Sequence, residues 1–160
     1  MRNETIDAII SGLKGEFIHS DPFSILKNLT PDIARKKAPG FNHSIWDLLY
    51  HTVIWNDIFL TNIKGDEANW NPSNNWPSDE EKEQDQNFTE LLQRFTNNVQ
   101  EVKDLLASQH LDFTAKHRIS PDNAFELTTI KLFMTILQHI SYHMGQIATV
   151  RKMVDKWPPT

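Results

Sequence analysis

The chain reads as an all-α protein, a four-helix bundle, and three observations predict it. Four long segments carry apolar residues at spacings of three and four, the mark of a helix with one buried face. No segment shows strand-like alternation bounded by turn residues. The stretches between the four are polar and hold most of the prolines, where helices must stop. An amphipathic helix has to bury its stripe against another element, and with no sheet available the partners are the other helices. At 160 residues the chain is long enough for one continuous core, so residues 1–160 are expected to form a single domain.

The first helix is expected from about Thr5 to Phe17, with Ile6, Ile9, Ile10, Leu13 and Phe17 on one face. Asp21-Pro22 reads as a cap followed by a first-turn proline, which starts a short helix through Leu29. The run Thr30 to Gly40 reads as a connector. The second long helix begins near Asn42 or Ser44 and runs to about Ile63. Ile45, Leu48, Leu49, Thr52, Asn56, Phe59 and Ile63 make one stripe, and Leu48, His51, Trp55 and Ile58 the next. Lys64-Gly65 is a suitable C-terminus, with a positive charge and a glycine.

A long polar loop follows, holding Trp70 and Trp76. Such loops are often functional. The two indoles either pack over the bundle end or form a lid over a pocket. The third helix opens on a capping box, Ser78 to Glu81, and carries Phe88, Leu91, Leu92, Phe95, Val99, Val102, Leu105 and Leu106 on one side. After a polar connector ending at Ser120-Pro121, the last helix is expected from about Phe125 to Val154. It is apolar around most of its middle, as a central helix should be.

Composition excludes several functions. A net charge of −5 with both signs interspersed offers no basic stripe for nucleic acid. The absence of cysteine removes disulfides, thiolate zinc sites and an intrinsic thiol nucleophile. The first ten residues carry Glu4 and Asp7 and no apolar run suited to a signal peptide, and no run is long enough to span a bilayer. The expected location is the cytoplasm.

The seven histidines are not equivalent. His139 and His143 lie four apart on a helix, only about 40° apart around its axis, so both rings can reach one point. Their stripe otherwise carries Leu132, Ile136 and Val150. His51 takes a similar core-facing place on the second helix, and bundles build metal sites from such facing side chains. The ordinary alternative is a buried histidine bonded to a carbonyl or a carboxylate. His19, His43, His110 and His117 fall at helix ends or in connectors. His43 sits about two turns before His51, too far along the axis to share an ion. Asp47, one turn from His51, could orient a ligand ring from outside the coordination sphere or could be an exposed helix carboxylate. Tyr142 and Gln146 carry the same two readings.

At these residues the chain resembles the DinB-like (YfiT-like) family of bacterial metalloproteins. The matching segment on the second helix is Ser44, Trp46, Asp47, Leu48, Leu49 and His51, with Asp47 where the family more often has glutamate. On the last helix it is His139, His143, Gly145 and Gln146. The resemblance implies a four-helix bundle, frequent homodimers, and a site in which His51, His139 and His143 hold zinc, nickel or a similar divalent ion. It further implies a metal-dependent enzyme acting on a small molecule. Members include thiol S-transferases that use low-molecular-weight thiols such as bacillithiol or mycothiol, an isomerase relative, and proteins described as metal-dependent hydrolases.

Three neutral imidazoles leave a coordination position open, the pattern of catalytic rather than structural zinc. Such an ion would generate hydroxide for hydrolysis or hold a thiol as thiolate. The second route needs the thiol as a cosubstrate, because the chain has none; hydrolysis needs a base, and Asp47 is the candidate. The resemblance favours the S-transferase. A stress-induced protein with a structural ion, or a protein without metal, are the contrasting expectations.

Overall fold

The computed structural model describes residues 2–16, 18–68, 71–108, 110–118, 126–155 and 157. Its elements in order are α1 (Arg2–Lys14), α2 (Pro22–Leu26), α3 (Pro31–Arg35), α4 (Ile45–Ile63), a 3-10 turn (Pro72–Asn74), α5 (Asp79–Glu83), α6 (Asp85–Ala107), β1 (Lys116–Arg118), β2 (Glu126–Thr128) and α7 (Thr129–Val154). The four long helices α1, α4, α6 and α7 make the expected all-α bundle. Helix α4 packs against both α6 and α7, and α1 against α6 and α7. The core between them is filled by large apolar side chains, among them Trp46, Phe88, Phe95, Leu132, Phe133 and Ile136. No helix among the described residues is long and apolar enough to cross a membrane.

The starts of the helices follow local chemistry. Asp21 accepts from the Phe23 and Ser24 amides ahead of Pro22, as the sequence indicates. Thr30 does the same for Ile33, with Pro31 in the first turn, so the segment read as a connector contains a helix of five residues. Its Thr-Pro start repeats the Asp-Pro start of α2. At α4 the cap is Ser44: its Oγ accepts from the Asp47 amide at 3.2 Å, and the Asp47 carboxylate accepts from the Ser44 amide at 2.9 Å. Gly65, at φ +89°, ends the helix in the left-handed conformation that glycine adopts without strain.

Two further departures from expectation each have a physical reason. The third long helix is broken at Gln84, whose backbone is extended (φ −98°, ψ 114°). Side chains take the carbonyls that a continuous helix would use: Arg35 Nε donates to the Lys82 carbonyl at 2.6 Å and Asn87 Nδ2 to the Glu81 carbonyl at 2.8 Å. The Arg35 guanidinium also pairs with Asp85, at the start of α6. Helix α7 begins at Thr129 because residues 126–128 pair antiparallel with 116–118, Lys116 opposite Thr128 and Arg118 opposite Glu126. This two-stranded ribbon corrects the expectation that the chain holds no strand. Three-residue strands are too short to show an alternating pattern. Phe17, Trp70, Ser120, Pro121 and Phe125, used in the sequence reading, lie outside the described residues.

Candidate metal centre

Helices α4 and α7 bring His51, His139 and His143 together. The ring centroids are 5.1 Å apart for His51 and His139, 4.8 Å for His51 and His143, and 4.5 Å for His139 and His143. One ring nitrogen from each lies within 4.8 Å of the others. The rings are inclined to one another by 58° to 85°, so none of the three pairs is stacked face to face. His143 is buried, while His51 and His139 are half-buried.

Two of the rings have an assigned tautomer. The Asn75 backbone carbonyl lies 3.3 Å from His51 Nδ1. A carbonyl only accepts, so Nδ1 carries the proton and the Nε2 lone pair is left available. His143 Nδ1 donates in the same way to Gln146 Oε1 at 2.7 Å, and the Gln146 amide donates in turn to the Tyr142 hydroxyl at 3.3 Å. His139 Nδ1 is buried and has no hydrogen-bond partner among the described residues.

The surroundings hold these rings neutral. Burial, reinforced by the neighbouring His143 and His51, pushes His139 down to about 3. Burial also lowers His143 to about 4, against the opposing effect of its bond to Gln146. His51 is lowered as well, chiefly by burial. Near pH 7 the cluster is therefore three uncharged nitrogen donors, the form that binds borderline metals such as zinc, nickel or cobalt. The donor set fits a divalent ion: an orphaned buried nitrogen, two free lone pairs and no competing positive charge. The cluster contains no carboxylate.

Residues 21–147 match the DinB superfamily. The chain belongs to that superfamily. No curated protein matches it. Membership of the DinB superfamily, together with the three-histidine cluster, fits a metal-binding protein, and the cluster could hold one divalent ion.

The other expected site residues divide. Gln146 touches a ring of the cluster directly, and Tyr142 reaches it both through Gln146 and by its own ring, which meets His143 at 5.0 Å between centroids; Tyr142 is itself 64% exposed. Asp47 is turned away from both readings given to it. It is 5% exposed, and its oxygens are occupied by the Ser44 amide and by Lys82 Nζ at 3.1 Å. The orienting contact on His51 comes from Asn75 instead.

Sequence reasoning missed Asn75 and the position of Trp76, because a loop has no periodicity from which to place it. Trp76 stacks on His51, with centroids 4.6 Å apart and planes at 17°. His43 is not a member of the cluster, as expected, but it stacks on the other face of Trp76 at 3.7 Å. Of the remaining described histidines, His19 Nε2 meets Ser141 Oγ at 3.1 Å, and His117, in β1, meets Thr129 Oγ1 at 2.7 Å.

Proposed function

We propose that this DinB superfamily protein is a metal-dependent thiol S-transferase, with His51, His139 and His143 as the ligands of one divalent ion, most simply zinc. The observation that carries the reading is the convergence of three neutral imidazoles in a cluster without a carboxylate. A bound ion of this kind supplies charge that lowers the pKa of a thiol or water at its open position. The chain's own groups orient the ligands through Asn75 and Gln146 and keep them unprotonated. The side chain that hydrolysis would need as a base, Asp47, is committed to Ser44 and Lys82, which favours thiol transfer over water activation. Because the chain contains no cysteine, the sulfur arrives on a low-molecular-weight cosubstrate of the bacillithiol type. In the transfer the S–C bond forms as the electrophile's leaving group departs with its electron pair, and the thiol proton passes to solvent.

On this reading the protein works in the cytoplasm as a homodimer. The groove between α1 and α7, where Ile9, Met134 and Leu137 lie, supports an apolar contact there. The test is conjugation of a small thiol to an alkyl halide probe by zinc-loaded protein. Adduct should form in step with thiol consumption and stop on chelation, while helical circular dichroism persists. Metal-dependent ester hydrolysis with no effect of thiol would refute the transferase, and chelation that melts the helices would make the ion structural.

A further inference from the structure

The loop between α4 and α5 grips a single ligand of the cluster from two sides. Asn75 uses both of its oxygens on α4: the backbone carbonyl accepts from His51 Nδ1 and the side-chain Oδ1 accepts from Trp55 Nε1 at 2.9 Å. The next residue, Trp76, lays its indole nearly parallel to the His51 ring. The far face of that indole is covered by His43, whose ring is 10° from coplanar with it. The backbone of His43 immediately precedes the Ser44 cap, so its position is set by the rigid start of α4. His43, Trp76 and His51 thus form a continuous three-ring stack, half-buried along its length. Offset and parallel ring stacking of this kind is attractive and strongly orientation-dependent. An imidazole held by a hydrogen bond at Nδ1 alone can still rock about its Cβ–Cγ bond; a ring also stacked on an indole is restrained in its plane.

We propose that Trp76 and His43 are positioning residues of the metal centre: Trp76 sets the plane of the His51 ring, and His43 acts only through Trp76. The inference rests on the reading of His51 as a metal ligand. It assigns His43 a function without making it a fourth ligand, and gives the long loop a role distinct from a cover over a pocket. Groups outside the coordination sphere that orient a ligating histidine change metal affinity by about 10–100-fold when removed.

The test is a titration with Co²⁺ and Zn²⁺ against a competing chelator for the parent, Trp76→Ala, Trp76→Phe, His43→Ala and the Trp76→Ala/His43→Ala double variant. Trp76→Ala should weaken binding by about 10–100-fold, and Trp76→Phe, which keeps an aromatic face, should recover most of that loss. His43→Ala should weaken binding several-fold in the parent and have no further effect beside Trp76→Ala. The Co²⁺ absorption band of His43→Ala should keep the parent's shape, because the ligand set is unchanged. Parent-like affinity in Trp76→Ala, an undiminished His43→Ala effect in the double variant, or an altered Co²⁺ band in His43→Ala would each overturn the inference while leaving the metal reading standing. A parent that binds neither ion would remove both. Trp76→Phe and His43→Ala alter only the stack, so they decide the matter even if Trp76→Ala folds poorly.

Discussion

Replacing His139 by Ala is expected to abolish tight metal binding while leaving the helices folded. The loss should exceed the roughly 10–100-fold that an outer-sphere partner is worth, because a ligand itself is removed. His139 Nδ1 makes no hydrogen bond to any described residue, so the apoprotein loses no bond when the ring is cut away. Its unfolding free energy should stay within about 1 kcal/mol of the parent. The difference between the two proteins should therefore emerge only with metal. At a free ion concentration of 100 times the dissociation constant the parent gains about 2.7 kcal/mol, and His139→Ala should gain almost none. Denaturant titrations with chelator and with zinc measure both quantities. Equal stabilisation of the two proteins by zinc would place the ion elsewhere; a large loss of stability in the apo variant would give His139 a packing role.

The second large effect should come from Asp47, with the opposite signature. Asp47→Ala removes the carboxylate half of the capping box of α4, leaving the Ser44 cap on the residue 47 amide, and strips Lys82, only 18% exposed in its side chain, of its buried partner. Together the lost carboxylate–amide bond and the broken pair should cost about 2–4 kcal/mol, with metal affinity within a few-fold of the parent. The pH dependence has a definite direction. Burial alone would raise the Asp47 pKa, but the Ser44 and Lys82 hydrogen bonds outweigh it and hold the carboxyl below its ordinary value of 3.8. A carboxyl more acidic in the folded state contributes stability that is complete above the unfolded pKa and vanishes as pH falls through the folded one. Lys82 is raised above 10.5 by its bonds to Asp79 and Asp47 in spite of burial, so its contribution is complete below that value and is lost as pH climbs through the folded pKa. Between these limits the stability gap between parent and Asp47→Ala should be flat, and it should close on the acid side. A gap that widens with acid, or a variant unable to hold metal, would contradict this assignment.

The histidine cluster was legible in the sequence because helical geometry alone decides much of it. A four-residue spacing aligns His139 and His143 on α7, and an apolar stripe on α4 turns His51 inward; no loop has to be placed. The outer contacts were legible only where they are local. Gln146, three residues beyond His143 on the same helix, could be anticipated, whereas Asn75 and Trp76 reach His51 across a loop whose path no periodicity reports. Asp47 carried a signal that was passed over. Ser44-x-x-Asp47 at a helix start is a capping box, and a carboxylate engaged with its own helix terminus is not free to turn toward His51. The break between α5 and α6 was hidden for a similar reason, since it depends on Arg35 arriving from a distant helix to take the Lys82 carbonyl.

X-ray absorption at the zinc edge of the loaded protein tests the central claim most directly. Three imidazole nitrogens at about 2.0–2.1 Å, with the outer-shell scattering of their rings and one further light atom, are predicted for the parent, and two such rings for His51→Ala. A spectrum dominated by carboxylate or water oxygens, or one that His51→Ala leaves unchanged, would mean that these three rings do not share an ion.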